Sequence, residues 1–385
     1  MPYAHRPTVL DADSHLMEGL DWLRDHADAD TRKLLPDLTG LLDKGGAGAG
    51  QAIRKGQARI GDAEQTAALE QDVISSAKGW LALGAMDAAE RSRALDLLGF
   101  SSQLVFSTFS LGLFAFSQDL DVVYGGTSAH NRMMAEFCDH DPRLVGVGFL
   151  PLHDPERSLA AVDEALELGC GALWVAHAPS AGRSPAHTDN DPVWAQVQEA
   201  GVPVVLHIGG GRNTIARAWH QNGRPRPVDL HGGGENLRAK DLPSVHHAAE
   251  TFLTAMVLDG VFERFPDLRC GVIEMGASWV PSLLHRLDYA ARSFSRTEPM
   301  LSELTLEPSE YVRRQVRFTP FPGEDVAGMI AGSGPELYLF SSDYPHPEGT
   351  KDPIGRFERS FDEHHTDETV RQRFYEDNFR TLLGA

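Results

Sequence analysis

Cysteine is scarce in this 385-residue chain: Cys138, Cys170 and Cys270 stand far apart and form no Cys-x-x-Cys pair. That spacing argues against a disulfide framework and against a thiolate zinc site. Positive charge is short as well, with 35 Lys and Arg facing 55 Asp and Glu for a formal net charge of −20. A surface that acidic repels phosphate backbones and anionic lipid, so neither nucleic acid nor membrane is an expected partner. Lysine is the rarest base, limited to Lys33, Lys44, Lys55, Lys78, Lys240 and Lys351. No run of about 18 apolar residues occurs, and the first residues carry no apolar signal segment. The expectation is a soluble, cytoplasmic protein.

What is present is a 42% hydrophobic content, ample for a core. Eight short apolar runs recur, at 8–12, 103–107, 145–150, 172–175, 202–207, 268–274, 316–319 and 337–341. Their near-continuous hydrophobicity suits strands buried on both faces. Helical patterns fall between them. Asp154 can cap a helix over 155–168 that Gly169 stops, and Asp191 precedes Pro192 at the head of a stretch ending at Gly201. Eight alternations predict an α/β fold, a (β/α)8 TIM barrel forming one domain over 1–385. An open doubly wound sheet is the alternative. It would place a glycine fingerprint after the first strand, where Asp-Ser-His stands instead.

Two segments exceed ordinary loop length: a helical insertion at about 20–100 and a long loop at about 209–244 after strand 5. Glycine clusters at 45–50, 209–211 and 232–234 read as permissive loop backbone, because none precedes a Lys-Ser/Thr pair. The loop could serve as a lid over the barrel mouth. The insertion could close one side of the mouth or meet a second subunit, so a homo-oligomer is expected.

In such barrels chemistry sits where strands end. Strand 1 runs into Asp11-Ala-Asp13-Ser-His15-Leu-Met-Glu18; strands 4, 5 and 6 end with His177, His207 and Glu274; strand 8 ends in Ser341-Ser-Asp343-Tyr-Pro-His346. Side chains two apart on a strand point the same way, so Asp13 and His15 can share one cation. Any one of these residues alone reads as structural. Clustered carboxylates would repel without a cation, and imidazole with carboxylate suits zinc, iron or manganese.

These motifs, together with Pro203-Val-Val-Leu-His207, Gly260-Val-Phe-Glu-Arg-Phe-Pro-Asp-Leu-Arg269 and Glu274-Met-Gly-Ala-Ser-Trp-Val-Pro281, resemble the amidohydrolase-related (amidohydrolase-2) family of metal-dependent TIM-barrel enzymes. The resemblance covers nearly the whole chain. It implies a hydrolase or non-oxidative decarboxylase, or a member of the smaller branch of dinuclear iron or iron–manganese oxygenases. It also implies that Asp13 and His15 are the strand-1 ligands, where many relatives have His-x-His, and that His207 and Asp343 are ligands from strands 5 and 8. Glu274 departs from the pattern, since the decarboxylases usually carry His there. No lysine lies near the end of strand 4, which removes a carbamate-bridged site.

The donor inventory sets the expected chemistry. Asp13, Glu274 and Asp343, with Glu18 as a fourth carboxylate, make the set hard and anionic. His177, His247 (with His246 its competitor) and His346 add imidazoles. One ion needs four to six donors, so this surplus points to two ions, iron and/or manganese, with zinc as the alternative. The leading expectation is a dinuclear monooxygenase hydroxylating a small organic substrate with O2 and an electron donor. In that scheme Glu274, His207 and Asp343 are catalytic. The alternative is a mononuclear zinc or manganese hydrolase or non-oxidative decarboxylase of a carboxylic acid, with Glu274 as general base. A non-catalytic metal-binding partner subunit is the third reading. Trp174, Trp194 and Trp279 read as core packing, and His187, His220, His231 and Arg212 as exposed loop residues.

Overall fold

The computed structural model describes residues 2–39, 49–211, 215, 217–225 and 239–384. Seven strands, β1 (Leu10–Leu16), β2 (Ser102–Ser107), β3 (Leu144–Phe149), β4 (Ala172–Trp174), β5 (Val204–His207), β6 (Cys270–Ile273) and β7 (Val316–Phe318), form one sheet in sequential order. Every adjacent pair is parallel. The main helices are α1 (Ala88–Leu98), α2 (Leu120–Cys138), α3 (Pro155–Glu167), α4 (Asp191–Ala200), α5 (His247–Leu258), α6 (Val280–Phe294), α7 (Val326–Ser333) and α8 (Pro353–Glu363). Parallel neighbours need crossovers, and these helices supply them.

Alternate strand residues enter two separate cores. Leu104 and Phe106, Ala172 and Trp174, and Val205 pack inside the sheet's curl. Val105, Leu173, Val204 and Leu206 pack outward against helix residues such as Leu95, Met134, Val162, Val197 and Leu253. This period of two, buried on both sides, is why the strands read as continuous apolar runs.

The expected eighth strand at 337–341 is an extended segment that closes the curl without forming a regular strand. It bridges both neighbours: the Phe318 N–H donates to the Leu337 carbonyl at 2.8 Å, and the Ala12 and His15 N–H groups donate to Phe340 and Tyr344 carbonyls at 3.0 and 2.8 Å. Asp343 stands at φ +53° and Pro345 lacks an N–H, so no continuous ladder forms. β1 runs four residues beyond its expected end, placing Asp13 and His15 within the strand, with a register shift between Asp11 and Ser14. Asp154 caps α3 as expected, accepting from the Arg157 N–H, and Gly169 follows at φ +80°. At α4 the N-cap is Asn190 rather than Asp191.

The described part of the insertion packs firmly beside β1. Trp80 is buried, donates to the Glu18 carbonyl at 3.0 Å and stacks on Phe109 at 5.2 Å. Arg91, on α1, is fully buried beneath the barrel mouth; it donates to the Gly84 carbonyl at 2.7 Å and to the His15 carbonyl. Among the described residues no helix is long and apolar enough to cross a membrane.

Gly84 stands at φ +69°, and a Cβ there would lie 2.4 Å from the Arg91 Cα. Gly84→Ala is expected to destabilise the fold by roughly 2–4 kcal/mol, through left-handed strain and overpacking together. Denaturant unfolding checks this; a midpoint unchanged from wild type contradicts it.

Candidate metal centre

Four buried side chains from β1, the end of β5 and the turn after β6 converge: Asp13, His15, His207 and Glu274 place ligand atoms within 4.8 Å of one another. A second group, Asp343 and His346 with the same His15, meets the same criterion. His207 Nδ1 lies 2.9 Å from the Ile208 carbonyl, which can only accept, so Nδ1 donates there and Nε2 is turned into the site. That Nε2 stands 3.2 Å from Asp13 Oδ1 and 3.4 Å from Glu274 Oε2.

The same logic holds at His346. Thr108 Oγ1 donates to the Leu16 carbonyl at 2.9 Å and therefore accepts from His346 Nε2 at 3.1 Å. His346 Nδ1 is then turned to Asp343 Oδ1, 2.9 Å away. His15 stacks on His346 at 3.9 Å, and its Nε2 lies 3.3 Å from Asp13 Oδ1 and 3.6 Å from Asp343 Oδ1. Burial, then the neighbouring His346 and His207, hold His15 well below the ordinary imidazole range, so it is a neutral donor.

Neither ring nitrogen of His15 makes a hydrogen bond among the described residues, nor do Asp13 Oδ2 or Asp343 Oδ1. Buried polar atoms are seldom left so, and clustered carboxylates repel. A divalent cation bound by one His15 nitrogen and the carboxylate oxygens would relieve both. The donor set fits one, with mixed oxygen and imidazole ligands suited to manganese, iron or zinc.

Three expected ligands lie elsewhere. Glu18 accepts from the N–H groups of Thr108, Phe109 and Ser110 and from Ser110 Oγ at 2.8–3.2 Å, so it anchors the loop after β2. His177 is buried under Gly210 and Gly211, outside both groups. His247 is exposed at the head of α5, where His246 stacks on Trp279 instead. The donor inventory therefore narrows to six residues, in two groups that share His15. Arg212 and His231, like the glycine runs at 45–48 and 232–234, lie outside the described residues. Trp194 is core, Trp174 lines the barrel interior beside His207 at 5.1 Å, and His187 accepts the Asp189 N–H at a turn.

Supporting residues went unnoticed in the sequence. Asp11 accepts from Ser342 N–H at 2.8 Å, Ser342 Oγ at 2.6 Å and Gln103 Nε2 at 2.7 Å. It thereby ties β1 to the segment bearing Asp343. Burial pushes the Asp11 carboxyl up to about 7, against the pull of the Ser342 and Gln103 hydrogen bonds. Glu274 and Asp343 both adopt positive φ, 56° and 53°. The Glu274 N–H donates to Thr319 Oγ1 at 2.8 Å, which holds the turn that aims its carboxylate. The cluster opens into a cavity of about 470 Å³ lined by Asp13, Glu274, Asp343, Phe321, Thr350 and Arg356.

A closed parallel α/β sheet with buried carboxylate and imidazole donors at its strand ends defines a metal-dependent barrel enzyme. The chain matches the amidohydrolase family over residues 11–385 and belongs to it. It is 28% identical over 230 residues to a gamma-resorcylate decarboxylase from Rhodococcus jostii, a match spanning 56% of this chain and 64% of that relative. An amidohydrolase structure from Mycobacterium avium subsp. paratuberculosis superposes with a TM-score of 0.74 at 24% identity, over 99% of this chain and 100% of that one. A 5-carboxyvanillate decarboxylase from Novosphingobium aromaticivorans, solved with bound manganese, gives 0.66 at 16% identity, covering 100% of both chains. The structural likenesses establish the fold.

Replacing Asp11 by Asn puts a donor where Ser342 needs an acceptor while leaving every converging donor in place. Manganese affinity of Asp11→Asn is expected to fall about 10–100-fold with the fold retained. Metal titration followed by elemental analysis checks this, and undiminished affinity would remove the role given to Asp11.

Proposed function

We propose that this protein is a divalent-metal-dependent, non-oxidative decarboxylase of a hydroxylated aromatic carboxylic acid. The observation that carries the reading is the two buried donor groups that share His15, seen together with the decarboxylase among its sequence relatives. It displaces the dinuclear oxygenase expectation. That expectation rested on a surplus of ligands, and Glu18, His177 and His247 have left the count. One ion, manganese by analogy with the neighbour's bound metal, is the proposed complement.

Asp13, His15, His207 and Asp343 would hold the ion, with His346 adjoining them. When bound, a divalent ion supplies positive charge that fixes and polarises the oxygens of an incoming acid. Phe321 offers the ring a flat apolar wall, and Arg356, which makes no side-chain ion pair or hydrogen bond among the described residues, offers a cation at the cavity's rim. Decarboxylation breaks the bond between ring and carboxylate, and the electron pair left on the ring carbon takes up one proton as CO2 departs. Glu274 is the group proposed to deliver that proton, taking the place of the family's usual histidine. Its turn, fixed through Thr319, aims the carboxyl at the cavity rather than at the strand ladder.

The test is CO2 release from 2,6-dihydroxybenzoate and related hydroxybenzoates by manganese-loaded protein under strict anaerobiosis. Turnover without O2 is expected. A product that needs O2 and gains an oxygen atom would restore the oxygenase, and amide or ester cleavage without CO2 would make it a hydrolase. Chelation should abolish activity and added manganese restore it. Glu274→Gln is expected to lower kcat about 10²–10⁴-fold with manganese content unchanged. A variant that loses its metal instead would make Glu274 a ligand.

A further inference from the structure

Beside the metal centre, on the β2–β4 side of the same mouth, lies a separate cavity of about 850 Å³. Its lining comes from the segments after β2, β3 and β4 and from α5, and it shares no residue with the cavity at Asp13, Glu274 and Asp343. The volume falls within the range of about 300–1,000 Å³ typical of small-molecule sites. Phe116, Leu120 and Phe252 give it apolar walls.

The polar groups facing it are specific in kind. His177 is 6% exposed, and its Nδ1 has no hydrogen-bond partner among the described residues. His153 Nδ1, on the same cavity, is buried and likewise without a partner among them. Burial lowers both imidazoles, His177 to about 3 with a further push from His207, so both are uncharged at neutral pH. Among the described lining residues the one cation, Arg183, is already committed to Asp189 at 2.9 Å and to the His153 carbonyl at 3.0 Å. The described lining therefore offers apolar surface and two imidazoles, with no uncommitted charge among those residues. It suits a neutral ring carrying hydroxyl groups and disfavours a carboxylate, which would be buried without a counter-charge.

We propose that this second cavity binds a neutral phenol, its ring between Phe116 and Phe252 and a hydroxyl on His177. Naming a phenol rests on the decarboxylase reading, because loss of CO2 turns an anionic hydroxybenzoate into a neutral phenol that the metal no longer holds by a carboxylate. The site itself stands on the cavity and its two imidazoles.

Calorimetric titration of resorcinol into the manganese-loaded protein tests the proposal directly. Saturable binding is expected, weakened about tenfold or more, some 1.4 kcal/mol, in His177→Phe and in Ala255→Trp, which fills the cavity from α5. Thermal melts of both variants confirm folding. Phe321→Ala, at the metal cavity, should leave resorcinol binding intact, and 2,6-dihydroxybenzoate should not compete. Absence of saturable binding in wild type overturns the proposal. So does binding that Phe321→Ala abolishes or that the acid displaces, since either places the phenol at the metal centre. Resorcinol binding that depends on His177 in a protein releasing no CO2 from any acid would uphold the site and defeat the decarboxylase reading alone.

Discussion

Buried carboxylates and imidazoles crowded together inside a closed barrel are the constraint from which the rest follows. His207, held by the Ile208 carbonyl, aims Nε2 at Asp13 and Glu274, and His346, held at Thr108, aims Nδ1 at Asp343. Three carboxylates brought together this way repel until positive charge occupies their centre, so binding energy for the ion and folding energy of the mouth are linked. The backbone shows the same tension. Glu274 and Asp343 are non-glycine residues at positive φ, a conformation costing on the order of 1–3 kcal/mol each. Their neighbours over-determine it through the Thr319 hydroxyl at Glu274 and the Asp13 carbonyl at Asp343.

Closure of the sheet and construction of the site are one event. The segment 337–344 is too irregular to be a strand, yet it completes the curl between β7 and β1 and delivers Asp343 and His346. Asp11, two residues before Asp13, welds the two sides by receiving both donors of Ser342, one residue before Asp343. Beneath them, Arg91 fixes the His15 carbonyl from the insertion side. Helix α1 and its preceding turn at Gly84 therefore belong to the centre's foundation.

Much of this was legible in the residues. Two-sided burial writes itself as apolar runs, and seven of the eight appear as strands; the Asp-x-His spacing on β1 and the polar strand ends at His207, Glu274 and Asp343 converge as their positions imply. What was not legible depends on who satisfies whom. Glu18 lies three residues past His15 and looks like a fourth carboxylate ligand, but three loop amides and a hydroxyl claim it. His177 ends the run of β4, yet the glycines at 210 and 211 let the following loop settle directly on its ring. Asp11 belongs to the most conspicuous motif in the chain and still gave no sign of its role, because its partners are 92 and 331 residues away. Hydrogen-bond competition over such separations leaves no periodicity in sequence.

The acidity of the chain bears on how an anionic substrate reaches such a centre. At −20 the protein repels a carboxylate at long range, but at physiological ionic strength that field is screened within about 8 Å. Inside the mouth the balance reverses. Three buried carboxylates, Asp13, Glu274 and Asp343, crowd one end of the cavity, and a divalent ion there makes it hospitable to a fourth. On the decarboxylase reading the ion is required twice, once to let the donors coexist and once to admit the acid. When the carboxylate leaves as CO2 the second requirement lapses, and the remaining ring has lost the charge that held it at the metal. The neighbouring room, with no uncommitted charge among its described lining residues, is matched to that altered molecule. On that reading, a barrel mouth divided this way sorts substrate from product by charge.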